Sequence, residues 1–171
     1  MVPVLRAAGR LGVTARAMSD ADLPFVAALY ASTRAEELAL TGWSDVQRTA
    51  FLDQQHRAQH HHYQSHYPGL QWLILEQSGA AMGRLYLAEW AREFRIVDIS
   101  LSASHRGQGL GGAIVEDVLT AATSAGKSVS IHAEKSNRAR RLYVRLGFAV
   151  AADKGVYELL EWQPPGAALS T

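Results

Sequence analysis

The stretch Ile96-Val-Asp-Ile-Ser-Leu-Ser-Ala-Ser-His-Arg-Gly-Gln-Gly-Leu-Gly-Gly-Ala-Ile-Val115 decides the fold. The segment FRIVDISLS, Phe94 to Ser102, is apolar and β-branched enough to read as a strand. Four glycines follow within six positions: Gly107, Gly109, Gly111 and Gly112. Gly109 to Ala125 then reads as an amphipathic helix carrying Leu110, Ile114, Val115, Val118 and Leu119. A strand that feeds a glycine-rich turn and then a helix suits a phosphate or pyrophosphate. The glycines let successive N–H groups point at one spot, and the helix N-terminus adds its positive end. Arg106 stands at the mouth, where a guanidinium can join.

Upstream of this block, Val13 to Met18 reads as a strand, and Ser19 with Asp22 forms a capping box before a helix that runs to about Thr33. A second cap at Ser44 and Asp45 opens a longer helix, closed by Tyr67-Pro68-Gly69. Leu70 to Glu76 and Met82 to Ala88 read as strands joined through Ser78-Gly79, a hairpin signal. Downstream come a strand (Ser128 to Ala133), a helix (Ser136 to Leu146) ended by Gly147, and two closing strands (Phe148 to Val150 and Val156 to Trp162). The order predicts a mixed α/β domain of α+β character over 13–162, with 1–12 and a loose 163–171 as terminal extensions.

Two phosphate ligands compete for the glycine turn. Gly107, Gly109 and Gly112 satisfy the G-x-G-x-x-G of a dinucleotide site, with Glu134 at the end of the next strand. Three features weigh against an oxidoreductase of that kind. Ala103-Ser-His-Arg106 separates the strand from the first glycine, too little chain follows Glu134 for a second nucleotide half, and two helices and a meander precede the motif.

The stronger reading is a resemblance. Arg106-Gly107-Gln108-Gly109-Leu110-Gly111 matches the R/Q-x-x-G-x-G/A acyl-CoA motif of the GCN5-related N-acetyltransferases. Ile99-Ser-Leu101 looks like that family's fourth strand. Asn137 and the following Ala139-Arg-Arg-Leu142-Tyr143-Val-Arg-Leu146-Gly147-Phe148 are similar to its second signature, which ends A-x-x-L-Y-x-x-L-G-F. Ala103 stands where the family commonly has proline.

This resemblance implies a central, mostly antiparallel sheet with one splayed parallel strand pair and helices on both faces. It also implies transfer of an acetyl or related acyl group from acetyl-CoA to a primary amine of a small molecule or peptide, by direct attack with both substrates bound. Backbone groups of Leu101 and Ala103 would pair with pantetheine amides. The loop Arg106, Gly107, Gln108, Gly109, Leu110, Gly111 and Gly112 would hold the pyrophosphate, with Asn137 and Arg141 reaching the cofactor from the later helix. Tyr143 matches the general acid that protonates the departing thiolate. A non-catalytic acyl-CoA sensor is the alternative within the same fold. Dimerisation is common in the family, but no feature of this sequence marks it.

The attacking amine must lose a proton, and Asp98 and Glu89 are the candidate bases, ahead of Glu93. Simple alternation puts Asp98 on one face with Ile96 and Ser100. Trp43, between the first two helices, is a candidate wall of the acceptor pocket. Five of the seven histidines fall between His56 and His66, with i,i+4 pairs at His56/His60 and His62/His66. No H-E-x-x-H pattern and no cysteine completes a metal site, so this run reads as a polar helix face.

The 171 residues carry 17 basic and 16 acidic side chains, a net charge of +1. That balance argues against a protein held to nucleic acid by phosphate contacts. No apolar run approaches the ~20 residues of a membrane span. The expectation is a soluble, cytoplasmic protein with no disulfides.

Overall fold

The computed structural model describes residues 2–167, so positions 168–171 of the expected loose tail lie outside the described residues. Seven strands form one sheet: β1 (Val13–Ala17), β2 (Gln71–Gln77), β3 (Ala80–Glu89), β4 (Glu93–Leu101), β5 (Ser128–Glu134), β6 (Ala149–Lys154) and β7 (Tyr157–Trp162). Their order is β1-β2-β3-β4-β5-β7-β6. Every neighbouring pair is antiparallel except β4 with β5. The helices are α1 (Leu23–Ala39), α2 (Asp45–His66), α3 (Leu110–Ala125) and α4 (Arg140–Arg145). This is the mixed sheet expected from the sequence, and among the described residues it is not extended by a second mononucleotide half.

Local chemistry sets most of these boundaries. The Ser44 hydroxyl accepts from the Gln47 N–H at 3.2 Å and the Gln47 side chain accepts from the Ser44 N–H at 2.9 Å, closing a capping box on α2. The β2–β3 hairpin turns on Ser78 (φ 54°) and Gly79 (φ 78°), both left-handed as a two-residue hairpin requires. Two boundaries differ from expectation. Helix α1 runs on to Ala39, because Leu38 beyond the expected end is buried. Helix α4 begins at Arg140, not Ser136, because the Asn137 side chain takes the Ala139 N–H at 2.9 Å and holds a non-helical turn before it.

The sheet buries both faces. On one, Leu73, Leu75, Leu85, Leu87, Phe94 and Ile96 pack against Leu110, Ile114, Val115 and Val118 of α3 and Tyr143 of α4. On the other, Tyr86, Ala88, Trp72 and Val97 meet Tyr63 of α2, and Tyr67 just beyond it. Leu5 and Ala8, in the stretch expected as an extension, belong to the first core. Ala8 is fully buried, and the Asp117 carboxylate of α3 accepts the Ala7 and Ala8 N–H groups at 2.8 and 2.9 Å.

Beta strand pairing opens the sheet at one place. Strands β4 and β5 pair only from Glu93 to Ile96 against Ser128 to Ile131. Past Ile96 the two strands share no further rung, which leaves the C-terminal half of β4 unpaired on that side.

Candidate active site

The glycine turn lies at the end of that open half. Gly107 and Gly109 have φ of 72° and 77°, a region that L side chains rarely adopt, and a Cβ on either would meet nothing within 4 Å. Gly109 is also the N-cap of α3 and supplies no capping side chain. Ala113 N–H is the first to bond back, to the Gly109 carbonyl at 3.1 Å, so the N–H groups of Leu110, Gly111 and Gly112 have no helical acceptor. Open space, free donors and the positive end of a helix therefore coincide, which fits a phosphate-bearing ligand. Gly112 serves packing instead: a Cβ there would meet Leu142 Cδ1 at 3.3 Å, which sets α4 against the start of α3.

Arg106 lies across this mouth. Its Nε donates to the Leu101 carbonyl at 2.9 Å and its Nη2 to Ser32 Oγ of α1 at 3.2 Å. Two groups expected to hold one ligand are thus bonded to each other. Gln108 braces the turn by donating to the Ser104 carbonyl at 2.7 Å. Ser102 and Ala103 face Phe25, Leu29 and Ser32 of α1 across a small depression. Arg141 is exposed on α4.

Tyr143 is 4 % exposed, with its ring 5.8 Å from that of Phe148. Burial, with a smaller contribution from the Asp98 carboxylate, pushes its hydroxyl up to about 12. The hydroxyl hydrogen-bonds to no described residue. It is not sealed in either, since Gln71 Oε1 is the single sealed, unpartnered side-chain polar atom among the described residues. The ring is core and the tip reaches open space.

The two candidate bases separate. A register shift on β4 pairs Tyr86 with Asp98 and Leu87 with Ile96, leaving Val97 as the extra residue. That bulge overturns the simple alternation: Ile96 stays in the α3 core, while Asp98 turns to the α2 face with Val97 and Ser100. There Asp98 Oδ2 accepts from Arg84 Nη2 at 2.8 Å and the Tyr63 hydroxyl at 3.0 Å. Its Oδ1 accepts from Arg84 Nε at 3.2 Å and Ser100 Oγ at 3.0 Å. Arg84 is 2 % exposed, and its Nη2 also donates to Gln59 Oε1 at 3.0 Å. Glu89 pairs with Phe94 and bonds Lys127 Nζ at 2.6 Å. At ~3.3 Å per strand residue, Glu89 lies roughly 20 Å from Leu101, at the opposite end of β4. Glu93, at that same end, bonds Arg95 and Ser130.

Trp43 packs edge-on against Phe51 at 5.2 Å. It lines an open depression with Gln47, Ala50 and Gln54, which shares no residue with the one beside Ala103. The histidine run divides between two faces. His56 is buried against Tyr30 and His60 packs 4.7 Å from Trp72, whereas His62 and His66 stack at 4.0 Å on the exposed side. Among the described residues no group of three His, Asp or Glu converges as metal ligands would, and no helix is long and apolar enough to cross a membrane.

Sequence reasoning allows for Asp98 being bonded to a neighbour, and the structure shows it so; the identity of the partners, Arg84 and the α2 side chains, is what that reasoning missed. The available signal was one charge of each sign inside two adjacent apolar strands, a costly placement unless they pair.

A parallel strand pair that parts above a glycine-rich helix start defines a class of acyl-CoA-binding transferases. A sequence profile of the acetyltransferase (GNAT) family matches residues 34–148, and the chain belongs to that family. Solved structures agree on the fold. The PaiA N-acetyltransferase of Thermoplasma acidophilum, in complex with coenzyme A, aligns with a TM-score of 0.66 at 13 % identity, covering 88 % of this chain and 98 % of its own. YncA of Salmonella typhimurium, a suggested acetyltransferase with acetyl-CoA as its cofactor, aligns at 0.54 and 21 %, covering 88 % and 93 %. The ribosomal-protein-S18-alanine N-acetyltransferase of Escherichia coli aligns at 0.54 and 20 %, covering 87 % and 90 %. A search of curated protein sequences finds no match. Membership makes this an N-acetyltransferase of the acyl-CoA-dependent kind.

Proposed function

We propose that the protein moves an acetyl group from acetyl-CoA to a primary amine of a small molecule or peptide, by direct attack with both substrates bound. The observation that carries this reading is the meeting of three features. These are an open strand edge past Ile96, a donor-rich glycine turn without a side-chain cap, and a Tyr143 hydroxyl that bonds no described residue and feels the charge of Asp98 on β4.

In this reading the N–H groups from Gly107 to Gly112 hold the pyrophosphate. Arg106 joins them once it leaves the Leu101 carbonyl, which frees that carbonyl, with the backbone of Ala103, for the pantetheine amides. Leu110 contributes its N–H, Gln108 keeps the turn closed, and Asn137 and Arg141 reach the cofactor from the α4 side. When bound, acetyl-CoA supplies an activated thioester carbonyl. A backbone N–H near Leu101 polarises that carbonyl as charge develops on it. Holding the amine in line supplies the rest of the rate through proximity. Tyr143 donates its proton to the departing sulfur, and its raised pKa keeps that proton in place at neutral pH. Its open hydroxyl favours a catalyst over a passive acyl-CoA sensor.

Asp98 has a different part. Four donors occupy its oxygens, so an incoming amine would have to displace one of them. We assign it to anchoring α2 across β3 and β4.

Calorimetric titration with acetyl-CoA, and with NADH in parallel, tests the cradle. Micromolar binding of acetyl-CoA alone is the expected result, followed by thiol release with a panel of primary amines. No acetyl-CoA binding by folded protein would overturn the reading.

A further inference from the structure

Resting on the acetyltransferase reading, we infer that His56 is the group that takes the proton from the acceptor amine. Three observations lead there. Helix α2 crosses the sheet so that its successive turns step along β4: Tyr63 bonds Asp98, and Gln59 bonds Arg84, whose strand partner is Ser100. One turn further toward the α2 N-terminus stands His56, within electrostatic reach of Arg84 on β3 and Asp98 on β4.

The second observation is the state of the ring. His56 is nine-tenths buried, yet neither nitrogen hydrogen-bonds to a described residue, and neither is sealed from solvent. The imidazole thus keeps both nitrogens unbonded inside a layer where Arg84, Asp98, Tyr63 and Gln59 are all bonded. The groups that face it are Tyr30 on α1, His60 and Asp53 on α2, Arg84 on β3 and Asp98 on β4. Burial, then the charges of Arg84 and His60, push its pKa below the usual histidine value, so the ring is neutral and able to accept a proton at neutral pH.

The third observation is what borders it. The Tyr30 ring lies 5.5 Å from that of His56, and the Tyr30 hydroxyl accepts from Arg34 at 2.8 Å. Tyr30 and Arg34 both act electrostatically on Tyr157 of β7, whose hydroxyl donates to Glu134 at 3.2 Å. Glu134 ends β5, the strand that parts from β4. The Tyr30 ring beside the imidazole, with the carboxylates of Asp53 and Asp98 acting on it, offers a face to a small organic ammonium ion.

The proton balance is simple. The ammonium gives one proton to His56 and becomes the free amine. The new N–C bond forms as the C–S bond breaks. The sulfur takes a proton from Tyr143, the nitrogen gives up its second proton to restore Tyr143, and His56 releases the first to solvent.

The test compares two acceptor probes at neutral pH, n-propylamine, which is almost wholly protonated, and hydroxylamine, which is uncharged and needs no base. Thiol release is measured for wild type and for His56→Gln, with acetyl-CoA binding of both proteins followed by calorimetry. The expected result is a loss of about 10²-fold with n-propylamine, the usual range for a lost general base, a change under about twofold with hydroxylamine, and unchanged acetyl-CoA affinity. His56→Ala, with its rate to n-propylamine restored by added imidazole, is the companion variant. Equal losses for the two probes, or no loss for either, would overturn the assignment. Failure of acetyl-CoA binding by wild type would instead overturn the reading on which it rests.

Discussion

Replacing Asp98 with asparagine keeps the side chain's size and removes its charge. Arg84 is 2 % exposed, and its described hydrogen-bond acceptors are Asp98, through two bonds, and Gln59, through one. Taking one partner from a buried ion pair costs about 3–5 kcal/mol, because the other charge stays buried without a counter-ion. The new amide oxygen, Gln59 and the Tyr86 ring, 4.9 Å from the guanidinium, soften that loss, so about 3 kcal/mol is expected. For a chain of this length that corresponds to a fall in Tm of roughly 10 °C. Urea unfolding of Asp98→Asn beside wild type reads the difference directly. The double variant Arg84→Met/Asp98→Leu removes both charges and is expected to recover at least half of it. A single variant within about 1 kcal/mol of wild type that has lost turnover would refute the anchoring role and return Asp98 to the chemistry.

Tyr143→Phe is expected to lower kcat with acetyl-CoA affinity unchanged, and to leave stability within about 0.5 kcal/mol, because the hydroxyl has no protein partner to lose; calorimetry and urea unfolding check the two halves. Because the folded Tyr143 pKa is raised from 10.0 to about 12, its contribution to stability is fully present below pH 10 and is lost as pH climbs toward 12, which unfolding measured across that window will show. Gly109→Asp is expected to weaken acetyl-CoA binding severely: it forces a side chain into φ 77° and puts a negative charge into the cradle, and unchanged affinity in a folded variant would take the turn out of the site. Asp117→Ala strips the acceptor from two buried or half-buried N–H groups and is expected to cost about 3 kcal/mol, with faster hydrogen exchange at Ala7 and Ala8 than in wild type.

What the sequence by itself determined was everything written in short-range chemistry. The strand–glycine–helix block from Ile96 to Val115, the Ser44 helix cap and the Ser78-Gly79 hairpin are each encoded within a few residues, and each formed where it was read. The shape of the glycine turn belongs to this group, because positive φ and uncapped helix donors need no distant partner. The tertiary structure decided what depends on pairing across the sheet. One extra residue, Val97, turned Asp98 from the face of Ile96 to the face of α2, because side chains alternate with a period of two and a single bulge inverts that count. The same register carried Glu89 to the far end of β4, beyond reach of the cradle. Helix docking set His56, one residue of a histidine-rich run, in a buried place beside Tyr30, whereas His62 and His66 remained on the surface. Helical spacing shows which residues share a stripe, but only the docking of α2 onto β3 and β4 fixes which stripe faces inward.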